Sequence, residues 1–373
     1  MRFLHTADWH IGKKLHGYDL LEDQREIINQ IIEIAEKEAV DAIVIAGDLY
    51  DRSVPSVEAV ELLNKKLIEI NLEKKFPVLA VSGNHDSSTR LATGAPWFEQ
   101  TNFYMVTQLE EAFKPVTIGD TQFFLLPYIE PIAARLYFKE EFSSIQEAVQ
   151  RILSEMERLF DADKKQVLIT HFFIAGGLRT DSETQIEVGG LNSVAYELME
   201  KFDYVALGHL HSKNALKTGK VRYSGSPLKF SLSELTDEKG VWIVDSENME
   251  PIFQPLYPKR DIKKIEASFD ELLDPTFYRT LDRAAFWQIL LTDRAVIPNM
   301  MNQLREVYPY ILNVERLHGR ETVAINQRLR KEEAPDKVLA TFFEEITGET
   351  LTDKQSDWLA KGLQVAIDTE KRD

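Results

Sequence analysis

In the N-terminal part of the chain, short apolar runs alternate with longer segments whose apolar residues recur at helical spacing. Arg2-Phe3-Leu4 opens a strand, and Ile27, Ile28, Ile31, Ile32 and Ala35 then mark one face of a helix over Leu21–Glu38. A second strand over Ala42–Ala46, a helix from about Pro55 to Leu72, and a third strand over Val78–Val81 continue the alternation. This order predicts a parallel sheet covered on both faces. Gly94 and Pro96 break a short helix within residues 87–98, and Val116–Ile118 with Phe123–Leu126 reads as a hairpin turning at Gly119-Asp120. Ser144-Ile145-Gln146-Glu147 has the form of a capping box and opens a helix to about Phe160. Strands at Val167–Thr170 and Tyr204–Leu207 flank a polar, glycine-rich loop from Gly176 to Gly190. Val221–Tyr223 and Val241–Val244 read as closing strands, with Gly225-Ser226-Pro227 as the turn between them.

Pro251, Pro255 and Pro258 punctuate the chain, so the main domain boundary is expected there, between residues 257 and 258. Strands at Ile262–Ala267, Ala285–Leu291 and Ile311–Leu317, with a helix over Asn299–Val307, predict a small α+β module over 258–330. In the remainder, 331–373, Leu339, Phe342, Phe343 and Ile346 and then Trp358, Leu359 and Leu363 predict two short helices broken at Gly348. Two such helices cannot fold in isolation, so they dock either on this chain or on a partner.

The predicted strands of the first domain end in the same kind of chemistry. Asp8 and His10 follow the first, Asp48 the second, Gly83-Asn84-His85-Asp86 the third, and His171, His209 and His211 end two later ones. The carboxyl edge of an open α/β sheet is where ligands bind. A lone histidine in a core strand is an ordinary buried residue, but seven such groups on one sheet edge have no stability rationale, because unpaired buried polar groups are costly. Mixed nitrogen and oxygen donors without sulfur suit manganese, iron or zinc. Seven donors exceed one ion's need and suit two divalent ions sharing a carboxylate, the arrangement that clamps an in-line phosphoryl displacement.

Composition narrows the reading. There are no cysteines, so thiolate sites and disulfides are excluded, and a reducing cytoplasm fits. No apolar stretch is long enough to span a bilayer, and a signal peptide is not expected. The formal charge of −17 opposes unaided gripping of a phosphate backbone over a broad surface.

The ordered set D-x-H, G-D-x-x-D, G-N-H-D, T-H and G-H-x-H resembles the calcineurin-like metallophosphoesterase superfamily. The stretches MRFLHTADWHIGK, GDLYDRSVPS, SGNHDS, THFFIAGG, GHLHSK and YSGSPLKFSLSE resemble, more narrowly, its Mre-type nuclease family, which includes the bacterial SbcD proteins. The resemblance implies an α/β fold of layered sheets flanked by helices, with a capping domain and C-terminal helices. It implies that Asp8, His10 and His211 hold one ion, that Asn84, His171 and His209 hold the other, and that Asp48 bridges them. Two Mn2+ ions are the expected cofactors, and a metal-activated water is the expected nucleophile. His85 matches the family's non-ligand histidine, which assists transition-state charge. Asp51, where archaeal and eukaryotic relatives commonly carry a second histidine, is expected to shape the catalytic site without ligating. Asp86 is expected to orient a ligand imidazole.

The family further implies 3′-to-5′ exonuclease action on duplex ends and endonuclease action on single strands and hairpins. It implies an SbcC-type, SMC-like coiled-coil ATPase partner docked by the C-terminal helices, and a homodimer within a heterotetramer, formed through Val57–Leu72 and Thr89–Phe98. A cytoplasmic, nucleoid-associated protein of DNA repair and recombination is expected. Lys13, Lys14, Arg52, Arg90, Arg179 and Lys213, with Lys229, are the candidates for phosphate contact. Two rival readings are a phosphoesterase of small or cyclic nucleotides and a non-catalytic scaffold. The capping module argues against the first, and a complete donor set argues against the second.

Overall fold

The computed structural model describes residues 1–183, 193–216, 218–317, 339–340, 343 and 350–370. Four parallel strands form one side of the first domain: β1 (Arg2–Thr6), β2 (Ala42–Ala46), β3 (Val78–Val81) and β4 (Phe103–Val106). Helix α1 (Leu21–Lys37) connects β1 to β2, and α2 (Val57–Ile68) connects β2 to β3. Ser56, not Pro55, caps α2, its side chain accepting the Ala59 amide. A second sheet contains β5 (Val116–Ile118), β6 (Thr121–Leu126), β7 (Lys165–His171), β8 (Tyr204–Gly208) and β9 (Val221–Tyr223). Strands β10 (Gly240–Asp245) and β11 (Pro251–Pro255) return to the first sheet, where β10 pairs antiparallel with β1. The two sheets run β11-β10-β1-β2-β3-β4 and β9-β8-β7-β6-β5.

Both faces of the first sheet are therefore covered, one by helices and the other by the second sheet. Phe3, Val44, Leu79 and Val244 meet Phe123, Val167, Ile169 and Tyr204 in the core between the sheets. Outside the first sheet, Ile27, Ile31 and Leu62 of α1 and α2 pack on Ile43, Ile45 and Val78. Outside the second, Ile145, Val149, Ile152 and Met156 pack on Phe124, Leu168 and Val205. The helix carrying these residues begins at Ser144, whose hydroxyl accepts the Glu147 amide. The Glu147 carboxylate reaches back to the amide of Ser143 rather than that of Ser144.

The expected turn between two closing strands is corrected by this layering. β9 lies parallel to β8 at an edge of the second sheet, while β10 lies in the first, so Gly225-Ser226-Pro227 carries the chain from one layer to the other. Pro251 and Pro255 of the expected boundary fall on the edge strand β11, where a missing amide donor does little harm, and Pro258 follows its end. Beyond it, β12 (Ile262–Ala267), β13 (Phe286–Leu291) and β14 (Ile311–Arg316) form a parallel three-stranded sheet. Ile262, Phe286 and Leu312 of this sheet join the cluster built on α1, and Arg260 forms an ion pair with the buried Asp23. Residues Met1–Asp293 and Pro298–Leu317 accordingly form one compact unit.

The other unit comprises Arg294–Ile297 and His318–Asp373. Its described part includes the helix Asp353–Glu370, on which Trp358 is exposed and Leu359 and Leu363 are half-buried. The expected break at Gly348, the positions Phe342 and Ile346, and the boundary at 330/331 lie outside the described residues. So does most of the second half of the Gly176–Gly190 loop.

Candidate metal centre

The seven groups were expected on one edge of one sheet. They do come together, but from the strand ends of two different sheets, because the chain splits its strands between two packed layers. Asp8 and His10 follow β1, Asp48 follows β2, Asn84 and His85 follow β3, His171 ends β7, and His209 and His211 follow β8. Asp8, His10, Asp48, His171, His209 and His211 are all buried, and Asn84 and His85 are half-buried. Left-handed backbone, rare for residues other than glycine, occurs at Asp8 (φ +54°), His10 (+44°), Asp48 (+51°) and His209 (+100°). Such strain costs about 1–3 kcal/mol per residue and gathers at functional sites. Glycines permit the close approach: a Cβ on Gly47 would collide with the His171 ring, and one on Gly208 with the Ala46 carbonyl.

The contacts form two groups that share Asp48, and Asp8 of the first group also comes within reach of Asp48 and His171. On one side, His10 Nε2 and His211 Nε2 lie 3.1 Å apart, and the atoms of Asp8, His10 and His211 come close enough for one ion. On the other, Asn84 Oδ1 is 3.0 Å from His171 Nε2 and 3.0 Å from His209 Nδ1. Asp48 Oδ2 stands 3.6 Å from His10 Nε2 and 3.3 Å from His171 Nε2. The Asp8 carboxylate accepts the His209 amide at 2.9 Å, fixing the loop after β8 to the loop after β1.

Burial dominates the electrostatics. It pushes the Asp8 carboxyl well above the usual carboxylate range, and it holds His10 and His211 well below the usual imidazole value and His209 down to about 3. Burial also opposes charge on Asp48 and His171, but their mutual attraction outweighs it. Asp48 is held well below its ordinary range and His171 is raised to about 9. Without a metal, the site thus stores a proton on His171 as part of a buried ion pair.

The donor set fits divalent metal ions. His171 Nδ1–H donates to the Ala46 carbonyl at 2.8 Å, which leaves the Nε2 lone pair for the cluster. Nε2 faces the acceptor oxygens of Asn84 and Asp48, a position its own proton satisfies in the protonated ring and a divalent cation would satisfy in the neutral one. Two imidazole nitrogens bonded at about 2.1 Å and at right angles about one ion would lie about 3.0 Å apart, close to the His10–His211 spacing.

The basic candidates divide. Lys14, Arg52 and Arg90 are exposed, and Arg179 lies over the Phe173 ring at 3.9 Å. Lys13 forms an ion pair with Asp51 at 2.8 Å, and Lys213 pairs with Glu238 at 2.6 Å. Lys229 pairs with Asp261, the residue before β12. The Asp51 carbonyl accepts from His85 Nδ1 at 2.9 Å, and the His85 amide donates to Asp48 Oδ1. Asp86 corrects an expectation. Its carboxylate accepts the amides of Gly83, Leu49 and Tyr50 and so ties two loops together, rather than orienting an imidazole.

Sequence reasoning missed the support around His211. Glu183 accepts the His211 amide at 2.6 Å, Lys239 donates to the His211 carbonyl at 2.8 Å, and Ser182 Oγ lies 2.6 Å from His211 Nδ1. Ser182 Oγ also lies 2.5 Å from Glu234 Oε1, and Glu234 pairs with Lys239 at 2.6 Å. Burial opposes charge on Glu234, yet Lys239 beside it holds its carboxyl down at about 2. The only sequence signal was a glutamate and a lysine flanking an otherwise buried strand entry.

The layered α/β fold and this cluster define a phosphoesterase of the metal-dependent class. A family model described as calcineurin-like phosphoesterase matches residues 1–213, and one described as type 5 capsule protein repressor C-terminal domain matches residues 258–347. The chain is 36% identical over 374 residues to the SbcD component of the SbcCD nuclease of Staphylococcus epidermidis, covering 99% of this chain and 100% of that one. It is 34% identical over 373 residues to the protein of the same name from Staphylococcus saprophyticus, covering 99% of each. The chain belongs to the SbcD family of calcineurin-like phosphoesterases.

Proposed function

We propose that this chain is the nuclease component of a DNA-end-processing complex. Its reaction would be the hydrolysis of phosphodiester bonds, with 3′-to-5′ exonuclease action on duplex ends and endonuclease action on single strands and hairpins. The observation that carries this reading is the position of Asp48 Oδ2, within 3.3 Å of His171 and 3.6 Å of His10. It makes Asp48 the shared member of two donor sets. Asp8, His10 and His211 form the first set, and Asn84, His171 and His209 the second. Two divalent ions, Mn2+ in our reading, would polarise the scissile phosphate and activate water for in-line attack.

The protein's own groups supply orientation. The Asp8 and Asp48 carboxylates anchor the His209 and His85 amides. His85, its Nδ1 held by the Asp51 carbonyl, donates to charge developing on the leaving oxygen. Lys13 holds the Asp51 carboxylate in place, and Lys14, Arg52, Arg90 and Arg179 are the cations that meet DNA phosphates. With a net charge of −17, they need help from the metal ions and from a partner.

That partner is a coiled-coil, SMC-like ATPase docked by residues 331–373. The nuclease domain would span 1–257 and the capping domain 258–330. Exposed Ile68, Leu72 and Trp97 rim an apolar groove of about 730 Å³ beside α2, which supports a homodimer formed through that face. Among the described residues no helix is long and apolar enough to cross a membrane, which is compatible with action beside the nucleoid in the cytoplasm. The test is cleavage of end-labelled duplex, hairpin and single-stranded DNA with Mn2+, in the presence and absence of the ATPase. Hydrolysis of cyclic nucleotides but of no DNA in any combination would replace this reading with that of a small-substrate phosphoesterase.

A further inference from the structure

The buried ion pair of Glu234 and Lys239 lies outside both donor sets, yet every polar atom of it leads to His211. Glu234 is completely buried and Lys239 nearly so. An uncompensated charge at either position would be strongly destabilising, and well-packed apolar residues in place of a buried pair are often no less stable. Stability alone therefore gives little reason to keep it. Its hydrogen bonds give a specific one.

Lys239 Nζ has three protons and three acceptors: Glu234 Oε2 at 2.6 Å, the His211 carbonyl at 2.8 Å and Ser226 Oγ at 3.0 Å. Glu234 Oε1, a carboxylate oxygen, only accepts, so the single proton of Ser182 Oγ lies along the 2.5 Å contact between them. Ser182 Oγ then has only lone pairs to offer His211 Nδ1 at 2.6 Å, which makes Nδ1 the protonated nitrogen. The Nε2 lone pair is left facing His10 Nε2 at 3.1 Å. Glu183 and Lys239 hold the two ends of the same residue's backbone.

We infer that Ser182 and Glu234, neutralised by Lys239, are positioning residues that lock His211 as the Nδ1–H tautomer and aim Nε2 at a metal ion. The inference rests on the metal-centre reading above and deepens it. It places the control of one ion on the segment after β7, since Asp181, Ser182 and Glu183 are hydrogen-bonded to Ser233, Glu234 and His211 respectively, and Glu183 also accepts the Thr180 amide. Outer partners of ligand histidines typically contribute about 10–100-fold in metal affinity.

The experiment is a Mn2+ titration of the full chain by calorimetry, with the Co2+ absorption spectrum and 15N NMR of the histidines as companions. The substitution S182A keeps the buried ion pair and removes only the relay. It is expected to weaken one of two Mn2+ sites by about 10–100-fold. The other site and the metal-free melting temperature should stay unchanged, while the His211 signal moves from a pure Nδ1–H pattern to a mixture. S182T, which keeps the hydroxyl, should restore the affinity. Unchanged affinity for both ions in S182A overturns the inference. So does a loss that S182T fails to restore, because loop packing and not the hydroxyl would then be responsible. An unmodified chain that binds no Mn2+ overturns the metal-centre reading itself, an outcome visible before any variant is made.

Discussion

His10 and His211, 201 residues apart in sequence, place their Nε2 atoms 3.1 Å from each other. Both rings are buried, and burial keeps both neutral. A neutral His10 can carry its one proton on Nε2 and donate it to the His211 Nε2 lone pair, and an ion bound between the rings would take that proton's place. Ion binding should then stabilise the whole fold by mass action. At Mn2+ about 100-fold above its dissociation constant the gain is about 2.7 kcal/mol for one site, a rise of roughly 3–4 °C in melting temperature for a fold of this size. A melting curve indifferent both to Mn2+ and to its removal by a chelator would contradict this.

His85 sits at the rim of the cluster, its ring 4.8 Å from that of His10. Replacing it with glutamine should lower the turnover number by about 10²–10³, the typical loss for one donor aimed at developing charge. Metal content should stay the same. If His85→Gln loses metal in step with activity, the residue is a ligand and its assigned role is wrong.

Much of the site was legible because each strand end announces itself: an apolar run, then a glycine or a polar group at the edge of a sheet. α1 was legible for a similar reason, as Ile27, Ile28, Ile31 and Ile32 declare its buried face. What stayed hidden was pairing over distance. A three-residue strand such as β9 carries no mark of its partner, so its separation from β10 into another sheet could not be read. Asp86 looked like a ligand's companion because it follows His85, but its carboxylate turns toward three amides. Glu234 and Lys239 carry no mark in the sequence, and only their contacts with Ser182 and His211, distant along the chain, reveal what they do.

The pH dependence follows from His171. Its pKa in the metal-free fold is about 9: burial lowers it, but Asp48 raises it further. Because the folded value is raised, the contribution of this ion pair to metal-free stability is full below the unfolded value of about 6.5 and is lost as pH rises through about 9. An ion needs the Nε2 lone pair, so binding below that pH must expel the proton. Mn2+ affinity should rise about tenfold per pH unit between about pH 7 and 8, with at least one proton released per chain. Calorimetry in buffers of different ionisation enthalpy measures the release. Affinity that is flat over this interval would show that His171 is already neutral.

The C-terminal segment makes a separable prediction. On the helix Asp353–Glu370, Trp358 is 62% exposed, a large apolar surface for a partner groove. A chain ending near Arg330 should keep metal-dependent cleavage of single-stranded DNA and should fail to co-purify with the ATPase. Complex formation at unchanged affinity by the shortened chain would move the partner site elsewhere.

The central claim is that Asp48 joins two ions into one phosphodiesterase centre. Its most direct measurement is cleavage of a labelled single-stranded oligonucleotide, followed while metal-free protein is titrated with Mn2+ and the bound ion is counted. The account predicts little cleavage at one ion per chain, full cleavage only as the second binds, and loss of both the second ion and the cleavage in Asp48→Asn. Full activity at one bound ion, or no cleavage with two, would contradict it.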